Sequence, residues 1–336
     1  MNERKVSSYL NRHKKDCKIP GFSAVLVDEK TGSFIINEGN KNIEDSFNYI
    51  SSDTNFGIGS ATKVFTALLI CNAVLENKIS LNSTVGDIIS ESNNNKYLSS
   101  ITIYELLTHT SGLGRLPDNF LKQENYNQSN PYMNYNEHML LDFISSGTLE
   151  NTPGKMLYSN LGYGILGYIL ERVYVEAFEN LLLSIIPEPL NMNSTFIYKS
   201  GVNLSNYAVG YSTKNNEQPF WDMNVLKAAG GIVSCPNDIK KFLEAIVFKK
   251  SPLESLFSVS SSFLNKKMAF GWHRRSLFQR LIWGKNTLWH NGMTSGYSFF
   301  IEFNTKKSIG YAIFFNKAIV PDYISTSVGY AIGCFN

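Results

Sequence analysis

Ser60-Ala61-Thr62-Lys63 puts a hydroxyl and an amine three residues apart where an apolar run begins. Residues at i and i+3 of a helix share a face, so the amine can reach the hydroxyl. Serine is a poor nucleophile at neutral pH until a nearby base takes its proton as it attacks a carbonyl carbon. The pair is the minimal equipment of a serine acyl-transfer enzyme, and it is the only Ser-x-x-Lys in the chain. A serine that merely caps a helix, with a lysine one turn on, gives the same spacing. What separates the two readings is the set of groups that accompany the pair.

The first such group is Tyr158-Ser159-Asn160, which follows the turn Pro153-Gly154 and precedes a Gly-rich apolar helix. Tyr158 offers a phenol that relays protons, and a cationic pocket is expected to ease its ionisation. Asn160 offers an amide that both donates and accepts. The second is His290-Asn291-Gly292-Met293, placed just before the strand-like run Tyr297 to Phe303, where Gly292 permits close approach to a strand edge. An aromatic and a cap at a loop-to-helix junction are the plainer account of Tyr158 and Asn160.

Those residues must be positioned by regular elements, and the periodicity supplies them. Phe56-Gly57-Ile58-Gly59 is a short apolar approach to Ser60, and Val64, Phe65, Ala67, Leu68, Leu69 and Cys71 read as a buried helix. Ser60 then lies at a helix N-terminus, where unpaired N–H groups suit a developing oxyanion. Residues 22–28 and 33–39 alternate around a turn as a hairpin, and 297–303 and 309–315 form another. The two ends of the chain are expected to share one antiparallel sheet, with helices near 3–16 and 321–333 packed on it. A mainly helical region from Ser60 to about Leu190 carries two of the three motifs. The fold class is α+β, an α/β sandwich, with the site in the cleft between the parts.

In this order the motifs resemble those of the serine β-lactamase and penicillin-binding-protein superfamily, most closely its class C-like branch of esterases, D-aminopeptidases, DD-peptidases and acyltransferases. Leu106-Leu107-Thr108-His109-Thr110-Ser111-Gly112-Leu113 resembles that branch's most recognisable stretch, and Ala229-Gly230-Gly231-Ile232-Val233-Ser234 another shared turn. The resemblance runs from about Pro20 to Asn316. It implies a single catalytic domain over 1–336. Residues 1–59 and about 228–336 would form the sheet and its flanking helices, and about 60–227 the helical part. It implies that Ser60 is acylated, that Lys63 helps deprotonate it and that Tyr158 passes the proton to the leaving atom. Which of Lys63 and Tyr158 takes the first proton stays open. Asn160, His290, Asn291, Gly292 and Met293 would contact substrate, with the backbone N–H groups of Ser60 and Met293 as the oxyanion hole. No metal or organic cofactor is implied.

His290 stands where many members of that superfamily have lysine. Histidine, with an ordinary pKa of about 6.5, is mostly neutral at pH 7 and lacks a fixed charge for a substrate carboxylate. This tilts the expectation toward esters, amides or peptides without that carboxylate, and Asn291 makes a β-lactamase proper less favoured again. The leading form is a serine hydrolase of esterase, amidase or D-amino-acid peptidase type, with acyl transfer through the same intermediate. The alternatives are a DD-carboxypeptidase or β-lactamase type enzyme and a sensor that acylates without turnover.

Two polar, aromatic-bearing segments, 115–138 and 204–227, read as lid loops. Tyr126, Tyr132, Tyr135, Tyr211 and Trp221 are their expected substrate contacts. His109 reads as a hydrogen-bonding residue at a helix end, His138 and His273 as surface or satisfied histidines, and Ser251 to Ser262 as a surface connection. The four cysteines, Cys17, Cys71, Cys235 and Cys334, lack metal spacing and read as free thiols. At 336 residues and net charge +3 the chain buries a large core and carries no basic stripe for nucleic acid. Met1 to Ile19 is polar and no run reaches the ~20 apolar residues of a membrane span, so the expected setting is cytoplasmic and the expected partner a small-molecule or peptide acyl substrate.

Overall fold

Successive side chains of a strand point to opposite faces, so a strand buried along its whole length needs a core on each side. The strand β1 (Gly21–Asp28) is buried at every position. Phe22, Ala24 and Leu26 enter one core with Val6, Leu10, Ile324 and Val328. Val25 and Val27 enter the other with Phe65, Phe242 and Leu243. The sheet is therefore the middle layer of a sandwich. This is a computed structural model, and it describes residues 3–202, 204–262, 268–276, 278–280 and 286–335.

In chain order the other strands are β2 (Gly32–Gly39), β3 (Phe56–Gly57), β4 (Phe196–Ile197), β5 (Gly210–Tyr211), β6 (Glu217–Gln218) and β7 (Ile232–Ser234). They are followed by β8 (Met268–Ala269), β9 (Trp272–Arg274), β10 (Thr287–Met293), β11 (Ser298–Asn304) and β12 (Ile309–Phe315). The main sheet is antiparallel with order β2-β1-β12-β11-β10-β9-β8, so both expected hairpins and the pairing of the chain's two ends are present. The helices Glu3–Asp16 and Asp322–Ala331 pack on one face, and Pro236–Phe248 covers the other. Arg275 and Glu302 pair inside this layer at 2.6 Å, and the Tyr311 hydroxyl donates to the same carboxylate.

The small sheet β3-β7-β4 leads into the helical region. Its central helix, Thr62–Leu75, is apolar all round and accordingly buried on nearly every side. Thr66 Oγ1 donates to Ala228 O at 2.7 Å, and Thr62 Oγ1 accepts the Ile232 N–H at 3.1 Å. Those bonds fix this helix against the 228–232 turn. The helix Asn160–Tyr174 packs alongside, its start capped by Ser159. Ser60 lies in a 3-10 turn, Gly59–Ala61, that runs directly into the Thr62–Leu75 α-helix, and so stands at the helix start as expected. One local expectation is corrected: the Ser-rich stretch is not a plain surface connection, since Glu254–Ser262 is a helix that buries Leu256 and Phe257, the latter edge-on to Phe242.

Candidate active site

Lys63 is wholly buried, and its amine has three neighbours. Nζ lies 3.3 Å from Ser60 Oγ, 2.9 Å from Asn160 Oδ1 and 2.6 Å from Ala229 O. Burial holds its pKa well below the usual lysine range, and the nearby Arg115 guanidinium lowers it further by like-charge repulsion. A neutral amine in this cradle gives its two hydrogens to Asn160 and Ala229 and turns its lone pair to the serine.

The Tyr158 ring lies under Lys63 Nζ at 4.8 Å, on the same side of the site as Ser60. The expected ease of ionisation is not found. Desolvation pushes this phenol up to about 12, outweighing the lowering effects of Ser60 and Arg115. Tyr158 therefore holds its proton at neutral pH. Asn160 is engaged at both ends, with Oδ1 accepting from Lys63 and Nδ2 donating to the Tyr132 hydroxyl at 3.0 Å.

The backbone around Ser60 depends on two glycines. Gly59 has φ +48°, a left-handed value, and a β-carbon there would sit 2.9 Å from Met293 N. A β-carbon at Gly292 would lie 1.9 Å from Ile58 O and 3.0 Å from Ser60 N. The close approach of β10 to the β3 turn thus brings the N–H-bearing atoms of Ser60 and Met293 together beside the serine. Met293, Thr294 and Ser295 form one wall of a cavity of about 180 Å³, and Ser60, Asn160 and Arg115 lie on its other sides.

His290 is buried, its Nδ1 2.6 Å from Asn291 O. Burial first, then His273 and Lys63, hold it well below the ordinary histidine value, so it is neutral. It belongs to a cluster of rings behind the cavity. His273 lies 4.8 Å from His290 and 6.1 Å from Tyr158, and His109 lies 4.6 Å from Tyr158. His273 is thus a neighbour of Tyr158, not a surface histidine, and burial pushes its pKa down to about 4. His109 plays the expected part, with its Nδ1 accepting the Ser159 N–H at 3.1 Å, at the start of the Asn160–Tyr174 helix. His138 is exposed beside Asp142.

Of the five loop aromatics, Tyr132 and Trp221 reach the cavity, with rings 5.4 Å apart. Tyr135 is wholly buried and donates to Asn119 Oδ1, and Tyr211 is buried and bonds Asn42. Both anchor loops. Tyr126 is exposed, edge-on to Phe120. The residue that the sequence reading passed over is Arg115, which lines the cavity and lies over the Tyr158 ring at 5.6 Å. Its one sequence signal was its place next to the Thr108 to Leu113 stretch.

The order of motifs, the geometry at Ser60 and the sheet topology agree with one further observation. The family model described as Beta-lactamase matches residues 9–326. The chain belongs to the β-lactamase family. In sequence it is 23% identical over 344 aligned residues to Protein flp of Staphylococcus aureus, covering 96% of this chain and 65% of that protein. It thus spans just under two thirds of that curated relative's length. In fold it is similar to a class C β-lactamase from Rhodobacter sphaeroides, with TM-score 0.82, 19% identity and 98% of each chain covered. It is equally similar to a β-lactamase/D-alanine carboxypeptidase from Pseudomonas syringae, with TM-score 0.83, 21% identity and 98% of each chain covered. Among the described residues no helix is long and apolar enough to cross a membrane.

Proposed function

We propose that this chain is a serine hydrolase that cleaves ester or amide bonds, peptides of D-amino acids included, through an acyl-Ser60 intermediate. The observation that carries the reading is the Lys63 amine, buried 3.3 Å from Ser60 Oγ with its other two partners fixed. Neutral Lys63 takes the serine proton as Oγ attacks the carbonyl carbon. The oxyanion that forms is received by the N–H groups of Ser60 and Met293. Tyr158, still protonated, gives its proton to the leaving atom as the carbon–heteroatom bond breaks, and the Lys63 ammonium returns a proton to Tyr158. Water then repeats the sequence on the acyl-enzyme and releases the acid; an amine or alcohol entering the same cleft would complete an acyl transfer instead.

The first test is intact mass and product release with 4-nitrophenyl acetate. Wild type should release nitrophenol beyond one equivalent, and Ser60→Ala should release none. A single equivalent held as a lasting adduct would point to the acylating sensor, and equal turnover by both proteins would end the acyl-Ser60 reading. A D-alanine carboxypeptidase type of reaction is a second form of the same chemistry. What favours it is the charge of Arg115 beside the cavity, since such substrates end in a carboxylate. Incubation with benzylpenicillin examines that form, because a carboxylate-accepting site of this kind should give a Ser60-dependent adduct or hydrolysis.

A further inference from the structure

We propose that Arg115 is the anion-recognition residue of this site and that the physiological acyl substrate carries a carboxylate. The inference rests on the acyl-Ser60 reading and names the substrate class for it. Among the described residues that line the cavity, Arg115 is the only arginine, and neither aspartate nor glutamate is present there. Lys63, whose amine lies 3.3 Å from Ser60 Oγ, is wholly buried with that amine also engaged by Asn160 and Ala229. His290, on β10, is buried with Nδ1 turned to Asn291 O.

Among the described residues three other arginines pair with acids: Arg12 with Asp16, Arg172 with Glu91 and Arg275 with Glu302. No ion pair among the described residues engages Arg115. Its guanidinium lies over the Tyr158 ring at 5.6 Å, a cation–π contact that leaves the N–H fork available. The backbone beneath it is fixed to the catalytic helix start. Arg115 O accepts the N–H groups of Asn160 and Leu161 at 3.0 and 3.2 Å, and Gly114 O accepts from Ser159 Oγ at 2.7 Å. A rigidly mounted, unpaired guanidinium at the rim of a small cavity is suited to bidentate capture of a carboxylate.

Matched esters test this. The first pair is 4-nitrophenyl butyrate and mono-4-nitrophenyl glutarate, and the second is phenyl acetate and 3-acetoxybenzoate. They place a carboxylate on the acyl side and on the leaving side respectively. Wild type should favour the anionic member of at least one pair. Arg115→Gln should lower that preference in kcat/KM by roughly 10- to 100-fold, the size of a lost charge-assisted hydrogen bond, mainly through KM. Arg115→Lys should restore part of it, since the charge returns without the fork. An anionic-to-neutral ratio unchanged by Arg115→Gln in both pairs would overturn the proposal. If wild type cleaves none of the four, binding of the anionic esters to Ser60→Ala and to Ser60→Ala/Arg115→Gln is compared by calorimetry. A tenfold or greater weakening in the double variant would keep the anion site while removing the hydrolase reading; equal binding would remove the anion site.

Discussion

Gly292→Ala tests the geometry beside Ser60 without touching a catalytic side chain. A β-carbon at this position would lie 1.9 Å from Ile58 O, whereas ordinary contact begins at 3.4 Å, so β10 and the Ile58–Ser60 turn must part by roughly 1.5 Å. The atoms forced apart are backbone, which has little room to yield. Ser60 N lies 3.0 Å from the same added carbon, so the displacement falls on the two N–H groups assigned to the oxyanion. A misplacement of about 1 Å costs on the order of 10²-fold, and complete loss of one donor costs about 2.7–4 kcal/mol. The expected result is a 10²- to 10³-fold fall in kcat/KM for 4-nitrophenyl butyrate, with most of the loss in the acylation rate. Overpacking should cost the fold only about 1–3 kcal/mol, which thermal unfolding would register as a lower midpoint of a still cooperative transition. Gly162→Ala is the comparison. Its β-carbon would meet nothing closer than 3.4 Å, so it should fold as well as or better than wild type. A Gly292→Ala protein that is folded and keeps kcat/KM within threefold of wild type would refute the assignment of Met293 and Ser60 N–H as oxyanion donors.

Three further outcomes follow from the electrostatics. The ascending limb of the kcat/KM profile against pH should lie well below the ordinary lysine value of about 10.4, because the proposed mechanism uses neutral Lys63 and burial lowers its pKa. Arg115→Gln should move that limb upward, since removing a nearby cation favours the ammonium; a limb that stays in place would dissociate it from Lys63. His109, His273 and His290 bind protons more weakly in the folded chain than in the unfolded one. Their stabilisation is complete above about pH 6.5 and is lost as pH falls toward the folded values, about 4 for His273, at roughly 1.4 kcal/mol per pH unit for each histidine. Urea midpoints at pH 7 and pH 5 measure this, and equal midpoints would contradict the buried neutral state. Arg275→Met should destabilise by about 3–5 kcal/mol, because it strands the fully buried Glu302 carboxylate. Arg275→Met with Glu302→Leu should recover much of that loss in denaturant titrations.

The hairpins at 21–39 and 298–315 were legible because short runs rich in apolar residues, bounded by turn residues, are a local pattern with a direct physical meaning, although β1, β11 and β12 prove buried on both faces. The same holds for the Ser60 and Lys63 spacing, which one turn of helix converts into proximity. Tyr135 and Trp221 were not separable in this way. Both are aromatics in polar loops, and only packing decides that the first is wholly buried and the second faces the cavity. The surface alternative for His273 failed for the same reason, since its ring meets Tyr158 from a strand more than a hundred residues away.

Residue types and spacing by themselves determined that a hydroxyl, an amine, a phenol and an amide were available in an order suited to acyl transfer, and that glycines stood at 59 and 292. Tertiary structure decided their chemical states. Lys63 is held by Asn160 and Ala229, 97 and 166 residues distant, and by complete burial. Desolvation raises Tyr158 where neighbouring charge alone would have lowered it. Arg115 gains meaning only from the cavity it lines and from having no ion pair among the described residues. Desolvation and Coulomb energy depend on distances in space, and a linear pattern fixes those only within a turn or a hairpin.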